Sequence, residues 1–150
     1  MTTIAYDGHT LASDSQVGDD VTKDPYGVKK IWKVGEFIIG CYGRYTSAIR
    51  FVDWVKSGMP DDARPSGLGD FGAIVIKSGK RPVFYEDGVT PISLRGPLAT
   101  GGSGGHYAMA AMLAGATAPE AVKIACRLDP SSGGAVQKLS FDGRRNKKAG

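Results

Sequence analysis

Residues 2–15 of the chain read TTIAYDGHTLASDS and begin an N-terminal half that is rich in predicted strands. TTIAY and HTLAS form two short strands in this prediction, because Asp7-Gly8 between them is a strong signal for a β-hairpin turn. The stretch also has chemical interest. Thr2 directly follows Met1, and a threonine with a free α-amino group can act as a nucleophile.

Further hairpins and one helix are predicted after this first hairpin. VKKIWKV and EFIIGCYG flank Gly35, and GAIVIKS and RPVFYED flank Gly79. Between these hairpins, residues 46–56 carry apolar side chains at positions i, i+3, i+4 and i+7, the pattern of an amphipathic helix. The stretch 57–70, SGMPDDARPSGLGD, is rich in Pro and Gly and is predicted to be a loop.

The C-terminal half is predicted to contain two helices and a last strand. Residues 91–102 lead through the turn GGSGG into an Ala-rich helix over 106–115. A capping box from Thr117 to Glu120 begins the next helix. The side chains of that helix expected to face inward are Ala121, Ile124, Ala125 and Leu128. DPSSGG ends it, AVQKLSF is the last strand, and the order ββββ-α-ββ-αα-β predicts an α+β fold with two packed antiparallel sheets and outer helices.

Length and charge indicate one domain with a basic end. The chain has 150 residues and a net charge of +4, from 19 basic and 15 acidic residues. Four basic residues lie within the last seven positions, so the rest of the chain is balanced in charge. We therefore expect a single domain over residues 1–142 and a flexible basic tail over 143–150. We do not expect the tail to bind nucleic acid.

The remaining composition excludes several classes of protein. Cys41 and Cys126 have neither the spacing of metal ligands nor that of a disulfide framework. No apolar run approaches the length of a membrane span, and the N-terminus lacks a signal-peptide core. His9 and His106 are expected at the surface. We thus expect a cytoplasmic protein that needs no metal or other cofactor and does not contact a membrane.

An N-terminal threonine nucleophile requires supporting groups. Its α-amine can serve as the base, since the ordinary pKa of that group is about 7.7–8. A nearby ammonium lowers the pKa of the amine, a carboxylate can hold the ammonium, and a backbone N–H can stabilise the oxyanion. Lys30 is a candidate because it alternates with Val28 and Trp32 on an apolar face, and Asp14 and Gly43 complete the set. Structural roles also fit these residues: Asp14 in a turn, Lys30 with an apolar stem along the surface, and Gly43 in a tight turn.

Five motifs together resemble those of proteasome β-subunits and HslV-type peptidases, which are N-terminal nucleophile hydrolases. In chain order they are TTIAYDGHTLASDS, GVKKIWKV, IIGCYG, ATGGSGG and LDPSSGGAV, and they span residues 2–136. The resemblance implies a four-layer αββα sandwich, in which two antiparallel sheets are flanked by helices. The loop 57–70 replaces a second long helix, so the first helical layer is expected to be shortened. In the family, such helices commonly mediate contacts between stacked rings, so the resemblance does not extend to the stacking of two rings.

The resemblance also implies roles for individual residues. Thr2 would be the nucleophile after removal of Met1, with its own α-amine as the base. Asp14 and Lys30 would form the supporting ion pair, and the N–H of Gly43 would be the oxyanion donor. The polar shell around the amine would comprise Ser103, Asp129 and Ser132. The substrate pocket would be lined by Val28, Cys41 and Tyr45, with the side chains of Tyr42 and Arg44 near its mouth.

The activity implied is that of a threonine-type endopeptidase in a homo-oligomeric ring. Its substrate would be a polypeptide, and its partner an ATP-driven unfoldase. Two other functions are compatible with the same residues. The chain could be a catalytically silent ring or binding subunit, or an amidohydrolase that acts on a small molecule.

Overall fold

The structure, a computed structural model, describes residues 2–18, 22–86 and 90–141. Within these ranges the chain forms nine strands and three α-helices. The strands are β1 (Ile4–Tyr6), β2 (Thr10–Ser13), β3 (Ile31–Val34), β4 (Phe37–Gly43), β5 (Phe71–Lys77), β6 (Val83–Glu86), β7 (Thr90–Ser93), β8 (Ala99–Gly101) and β9 (Gln137–Ser140). The helices are α1 (Tyr45–Lys56), α2 (Gly105–Leu113) and α3 (Ala118–Leu128). Met1 and the predicted tail over 143–150 lie outside the described residues.

The strands form two antiparallel sheets that pack face to face. One sheet has the order β8-β1-β2-β9 and the other the order β3-β4-β5-β6-β7. α1 packs on the outer face of the five-stranded sheet, and α2 and α3 pack on the outer face of the four-stranded sheet. The predicted four-layer α+β sandwich is confirmed. Between α1 and β5 there is only a short 3-10 helix, Asp61–Ala63, which confirms the shortened first helical layer.

Alternation of side chains along the central strands explains the layers. Ile38 and Ile74 point between the two sheets, whereas their neighbours Ile39 and Val75 pack toward α1. Because successive strand residues face opposite sides, each strand contributes to two cores. Phe51 of α1 is fully buried against the outer core.

The inward face of α3 differs from the prediction. Ile124 is 40% exposed and Leu128 is 57% exposed, so the expectation that they face inward was wrong. The buried positions are Ala118, Ala121, Val122 and Ala125. These also follow the i, i+3, i+4, i+7 pattern, and their small side chains let the helix pack closely on the sheet. The capping box between Thr117 and Glu120 is confirmed.

β8 is the strand that places its following turn beside the N-terminal residues. Residues 91–102 were expected to form only a connection to the next helix, which is wrong: β8 lies within them and β7 overlaps their start. β8 pairs with β1, with Ile4 opposite Gly101. This pairing brings the turn GGSGG directly beside Thr2.

Candidate active site

Thr2 lies just before β1 and is held by the turn that follows β8. Its backbone nitrogen donates a hydrogen bond to Ser103 Oγ at 3.3 Å, and its carbonyl oxygen accepts one from the N–H of Gly104 at 3.2 Å. Thr2 is 5% exposed and lines a cavity of about 640 Å³. Lys30 and Gly43 line the same cavity. The structure therefore brings these three predicted residues to one place.

The neighbouring threonine has a different environment. Thr3 is fully buried and its Oγ1 lies 2.7 Å from Ser132 Oγ. Its backbone N–H donates to Asp14 Oδ1 at 3.0 Å. Thr3 is not among the residues that line the cavity. Of the two adjacent threonines, Thr2 is thus the one that a substrate in the cavity can reach.

Asp14 and Lys30 form a buried ion pair. Lys30 Nζ lies 3.0 and 3.1 Å from the two carboxylate oxygens of Asp14, and the carboxylate is completely buried. Besides Thr3, the backbone N–H groups of Gln16 and Gly133 donate to Asp14 at 3.3 and 3.1 Å. Hydrogen bonds of this kind compensate a carboxylate for lost hydration. The predicted pair is therefore fixed in position by the backbone around it.

The electrostatic environment of Lys30 is mixed. Burial lowers the pKa of its ammonium, and the charge and hydrogen bonds of Asp14 act in the opposite direction. Burial has the larger effect, so the pKa lies below its ordinary value. A lysine of this kind, near a nucleophile, is suited to lowering the pKa of another amine.

On the other side of Thr2, three polar side chains meet. Ser103 Oγ and Ser132 Oγ both donate to Asp129 Oδ2 at 2.7 Å. Each hydroxyl has one proton, so the oxygen of Ser103 is left to accept from the Thr2 nitrogen and that of Ser132 to accept from Thr3. Ser103 and Asp129 are thus linked to the Thr2 nitrogen. Ser132 acts one residue further along, on Thr3.

Asp129 is adapted to receive these hydrogen bonds as an anion. Partial burial raises the pKa of its carboxyl, but donation from Ser132, Ser103 and the backbone N–H of Ser131 lowers it more. The resulting pKa lies below the ordinary value. Asp129 follows the last turn of α3, so the end of that helix positions the carboxylate.

The predicted substrate-binding residues all border the cavity. Val28, Cys41 and Tyr45 lie on an apolar wall that also contains Trp32 and Ala48. Trp32 could have been found from the sequence, because it alternates with Val28 and Lys30. Burial raises the pKa of the Cys41 thiol, which keeps this part of the wall uncharged.

Gly43 ends β4 with a backbone conformation that requires glycine. Its φ is +91°, and a Cβ atom there would collide with the carbonyl of Asp70 on the neighbouring chain segment. The backbone N–H of Arg44 donates a hydrogen bond to that same carbonyl oxygen at 2.8 Å. The turn role of Gly43 is thus established, and its position on the cavity is compatible with an oxyanion role as well.

Tyr42 borders the cavity, and its ring packs between the two sheets, against Gly72 and Gly101. Burial raises the pKa of Tyr42 to about 12. The two glycines leave the space that the ring fills, which the sequence pattern around Gly43 did not reveal. Arg44, which was expected near the mouth of the cavity, is exposed and is not among the residues that line it.

The described residues contain neither a metal site nor a membrane-spanning helix. Among the described residues, no group of three or more His, Cys, Asp or Glu side chains is arranged to bind a metal ion. His9 and His106 are exposed, as predicted. No helix in the described part of the chain is long and apolar enough to cross a membrane.

Solved structures similar to this chain include proteins from Trypanosoma brucei and Thiobacillus denitrificans. HslV from Trypanosoma brucei aligns with a TM-score of 0.71 and 20% identity, over 94% of this chain and 100% of that one. BPH from Thiobacillus denitrificans aligns with a TM-score of 0.69 and 19% identity, over 92% and 95% of the two chains. Its complex with epoxomicin aligns with a TM-score of 0.67 and 18% identity, over 92% and 96%. No family model and no curated protein matches this chain. The chain thus shares the four-layer αββα fold of HslV, the fold that the motifs in its sequence predict.

Proposed function

We propose that this protein is a threonine-type endopeptidase whose nucleophile is Thr2, exposed once Met1 has been removed. The observation that supports this most is the position of Thr2. It borders one cavity together with Lys30 and Gly43, and its nitrogen contacts Ser103. While Met1 is attached, that nitrogen belongs to a peptide bond and cannot act as a base. Removal of Met1 is therefore part of the proposal.

In the first half of the reaction, the α-amine of Thr2 takes the proton from Oγ1, which attacks the carbonyl carbon of a peptide bond. The oxyanion that forms accepts a hydrogen bond from the N–H of Gly43. The C–N bond then breaks, and the protonated α-amine gives its proton to the leaving amine. The products of this half are a free amine and an ester on Thr2.

In the second half, a water molecule gives a proton to the α-amine and attacks the ester carbonyl. The C–O bond to Thr2 breaks, and the proton returns from the amine to Oγ1. The carboxylic acid leaves and the enzyme is restored without any other reactant. The same base thus serves both halves of the cycle.

The surrounding residues adjust the α-amine. The Lys30 ammonium, which Asp14 holds in place, lowers the pKa of the amine and keeps it neutral near pH 7. Ser103, held by Asp129, accepts a hydrogen bond from the amine and fixes its direction. Both effects favour proton transfer along the path to Oγ1.

The apolar wall of the cavity supports a preference for peptides with an apolar side chain next to the cleaved bond. Val28, Trp32, Cys41 and Tyr45 are the residues that would contact this side chain. We further propose a homo-oligomeric ring supplied by an ATP-driven unfoldase, as the sequence resemblance implies. Such an assembly would bury exposed apolar side chains of the outer helices, among them Tyr107, Leu113 and Leu128.

Hydrolysis of fluorogenic peptides with apolar residues at the cleaved bond would test the activity. We expect Thr2→Ala to lose all turnover, since it lacks the attacking oxygen. Thr2→Ser should retain part of it, and Thr90→Ala at the exposed edge of β7 should behave like the wild type. Turnover that survives in Thr2→Ala would refute the assignment of the nucleophile.

A further inference from the structure

The segment 28–30 connects the active site to the apolar wall. It carries Lys30, which pairs with Asp14, and Val28, which lines the cavity. It leads into β3, and β3 is an edge strand of the five-stranded sheet. On the side of β4, the N–H of Cys41 donates to the carbonyl oxygen of Lys30 at 3.0 Å. Among the described residues, β3 has no strand partner in its own sheet on its other side.

Gln137 contacts this segment from the other sheet. It is the first residue of β9, which is likewise an edge strand. Its Nε2 donates to the carbonyl oxygen of Val28 at 2.6 Å, and its Oε1 accepts from the N–H of Lys30 at 3.3 Å. A side-chain amide has the same donor and acceptor as a peptide group. Gln137 thus binds the segment much as a neighbouring strand would.

Other contacts restrain different points of the segment. The hydroxyl of Tyr45 donates to the carbonyl oxygen of Lys29 at 3.0 Å, and the N–H of Val28 donates to the carbonyl oxygen of Ser15 at 2.9 Å. Each of these contacts reaches one residue of the segment. The two bonds of Gln137 reach both ends, so its loss would affect Lys30 and Val28 together.

We propose that Gln137 is a positioning residue that sets both the location of Lys30 relative to Thr2 and the location of the Val28 wall. This inference rests on the proposed peptidase function. Gln137 does not touch the reacting atoms but acts through the backbone of residues 28–30. If Lys30 moves away from the α-amine of Thr2, the pKa of that amine rises. Higher pH is then needed to keep the amine neutral.

The test compares Gln137→Met with Lys138→Met, its exposed neighbour on the same strand. For Gln137→Met we expect kcat to fall by about 10- to 100-fold, the size of effect that small misplacements cause. The acidic limb of its pH–rate profile should move to higher pH, and KM for peptides with an apolar side chain should rise. Lys138→Met should match the wild type. A purely structural role would lower the amount of active enzyme without moving the pH profile.

The outcomes separate this inference from the function on which it rests. If the wild type is active but Gln137→Met has the pH profile and KM of Lys138→Met, the role of Gln137 is refuted and the peptidase function stands. If the wild type is inactive, the peptidase function fails. Hydrogen exchange of the Lys30 amide then decides whether Gln137 holds the segment, since it should be faster in Gln137→Met than in the control. If Gln137→Met does not fold, Gln137→Asn, whose shorter amide cannot span both contacts, is tested by the same readouts.

Discussion

Two groups of polar residues flank Thr2, an ion pair on one side and a set of hydroxyls around a carboxylate on the other, and they differ in how far their side chains are buried. On the ion-pair side, Asp14 and Lys30 are buried and backbone N–H groups surround the carboxylate. On the hydroxyl side, Asp129 is buried but Ser103, the residue that contacts the Thr2 nitrogen, is exposed. A change on the ion-pair side therefore affects both folding and chemistry. A change of Ser103 should affect chemistry alone.

The ion-pair side also shows why one partner is harder to replace than the other. A buried charge that loses its partner retains the cost of its desolvation. Asp14 accepts hydrogen bonds from the backbone of Thr3, Gln16 and Gly133 as well as from Lys30. If the Asp14 carboxylate is removed, the Lys30 ammonium and the three N–H groups all lose their acceptor. If the Lys30 ammonium is removed, the carboxylate still accepts hydrogen bonds from the three N–H groups.

The largest effect is therefore expected for Asp14→Ala, with a loss of about 3–5 kcal/mol in the free energy of unfolding. Lys30→Met should lose less, because its apolar chain keeps the packing and Asp14 keeps its backbone donors. Urea denaturation of both variants measures the difference. Equal losses would show that the backbone donors contribute little to holding Asp14.

A smaller effect, on activity alone, is expected for Ser103→Ala. It removes a hydrogen bond to the Thr2 nitrogen, which should lower kcat by up to about tenfold. Its free energy of unfolding should change by no more than about 0.5 kcal/mol, since the side chain is exposed and Asp129 keeps Ser132. Ser66→Ala, also at an exposed serine, is the control. A large loss of stability would contradict the distinction between the two sides.

The smallest effect concerns the pH dependence of stability. The pKa of Asp129 is lowered in the folded protein, so the unfolded chain binds the proton more tightly. The stabilisation is complete above the ordinary aspartate pKa of about 3.9 and is lost as the pH falls through the folded value. Urea denaturation between pH 3 and 6 should show a steeper loss in the wild type than in Asp129→Asn. Parallel curves would contradict this assignment.

Apart from β7 and β8, the order of elements could be predicted because its signals are local. The Asp7-Gly8 turn, the stripe over residues 46–56 and the capping box at Thr117 each depend on neighbouring residues, and all three were confirmed. The failures concern contacts across the fold. β8 is stabilised by its pairing with β1, and Pro97 and the nearby glycines gave this stretch the sequence pattern of a loop. The inward face of α3 was misassigned because two overlapping apolar stripes fit the same sequence.

The residues of the site could also be predicted where they belong to local motifs, but not where they make contacts across the fold. The five motifs indicated most of the residues around Thr2, and the structure places Asp14, Lys30, Gly43 and Ser103 near it. The link from Ser132 to Thr3, and that from Gln137 to residues 28–30, join positions more than 100 residues apart. A single glutamine, serine or threonine carries no pattern that predicts such a contact.

The most direct measurement is the intact mass of the untagged protein before and after incubation with epoxomicin, a peptide epoxyketone that reacts with a free N-terminal threonine. We predict a mass that lacks Met1 and then increases by one inhibitor molecule. Thr2→Ala should show no increase, and Thr90→Ala should react like the wild type. Retention of Met1 with no adduct would contradict the assignment of Thr2 as the nucleophile and favour a catalytically silent subunit.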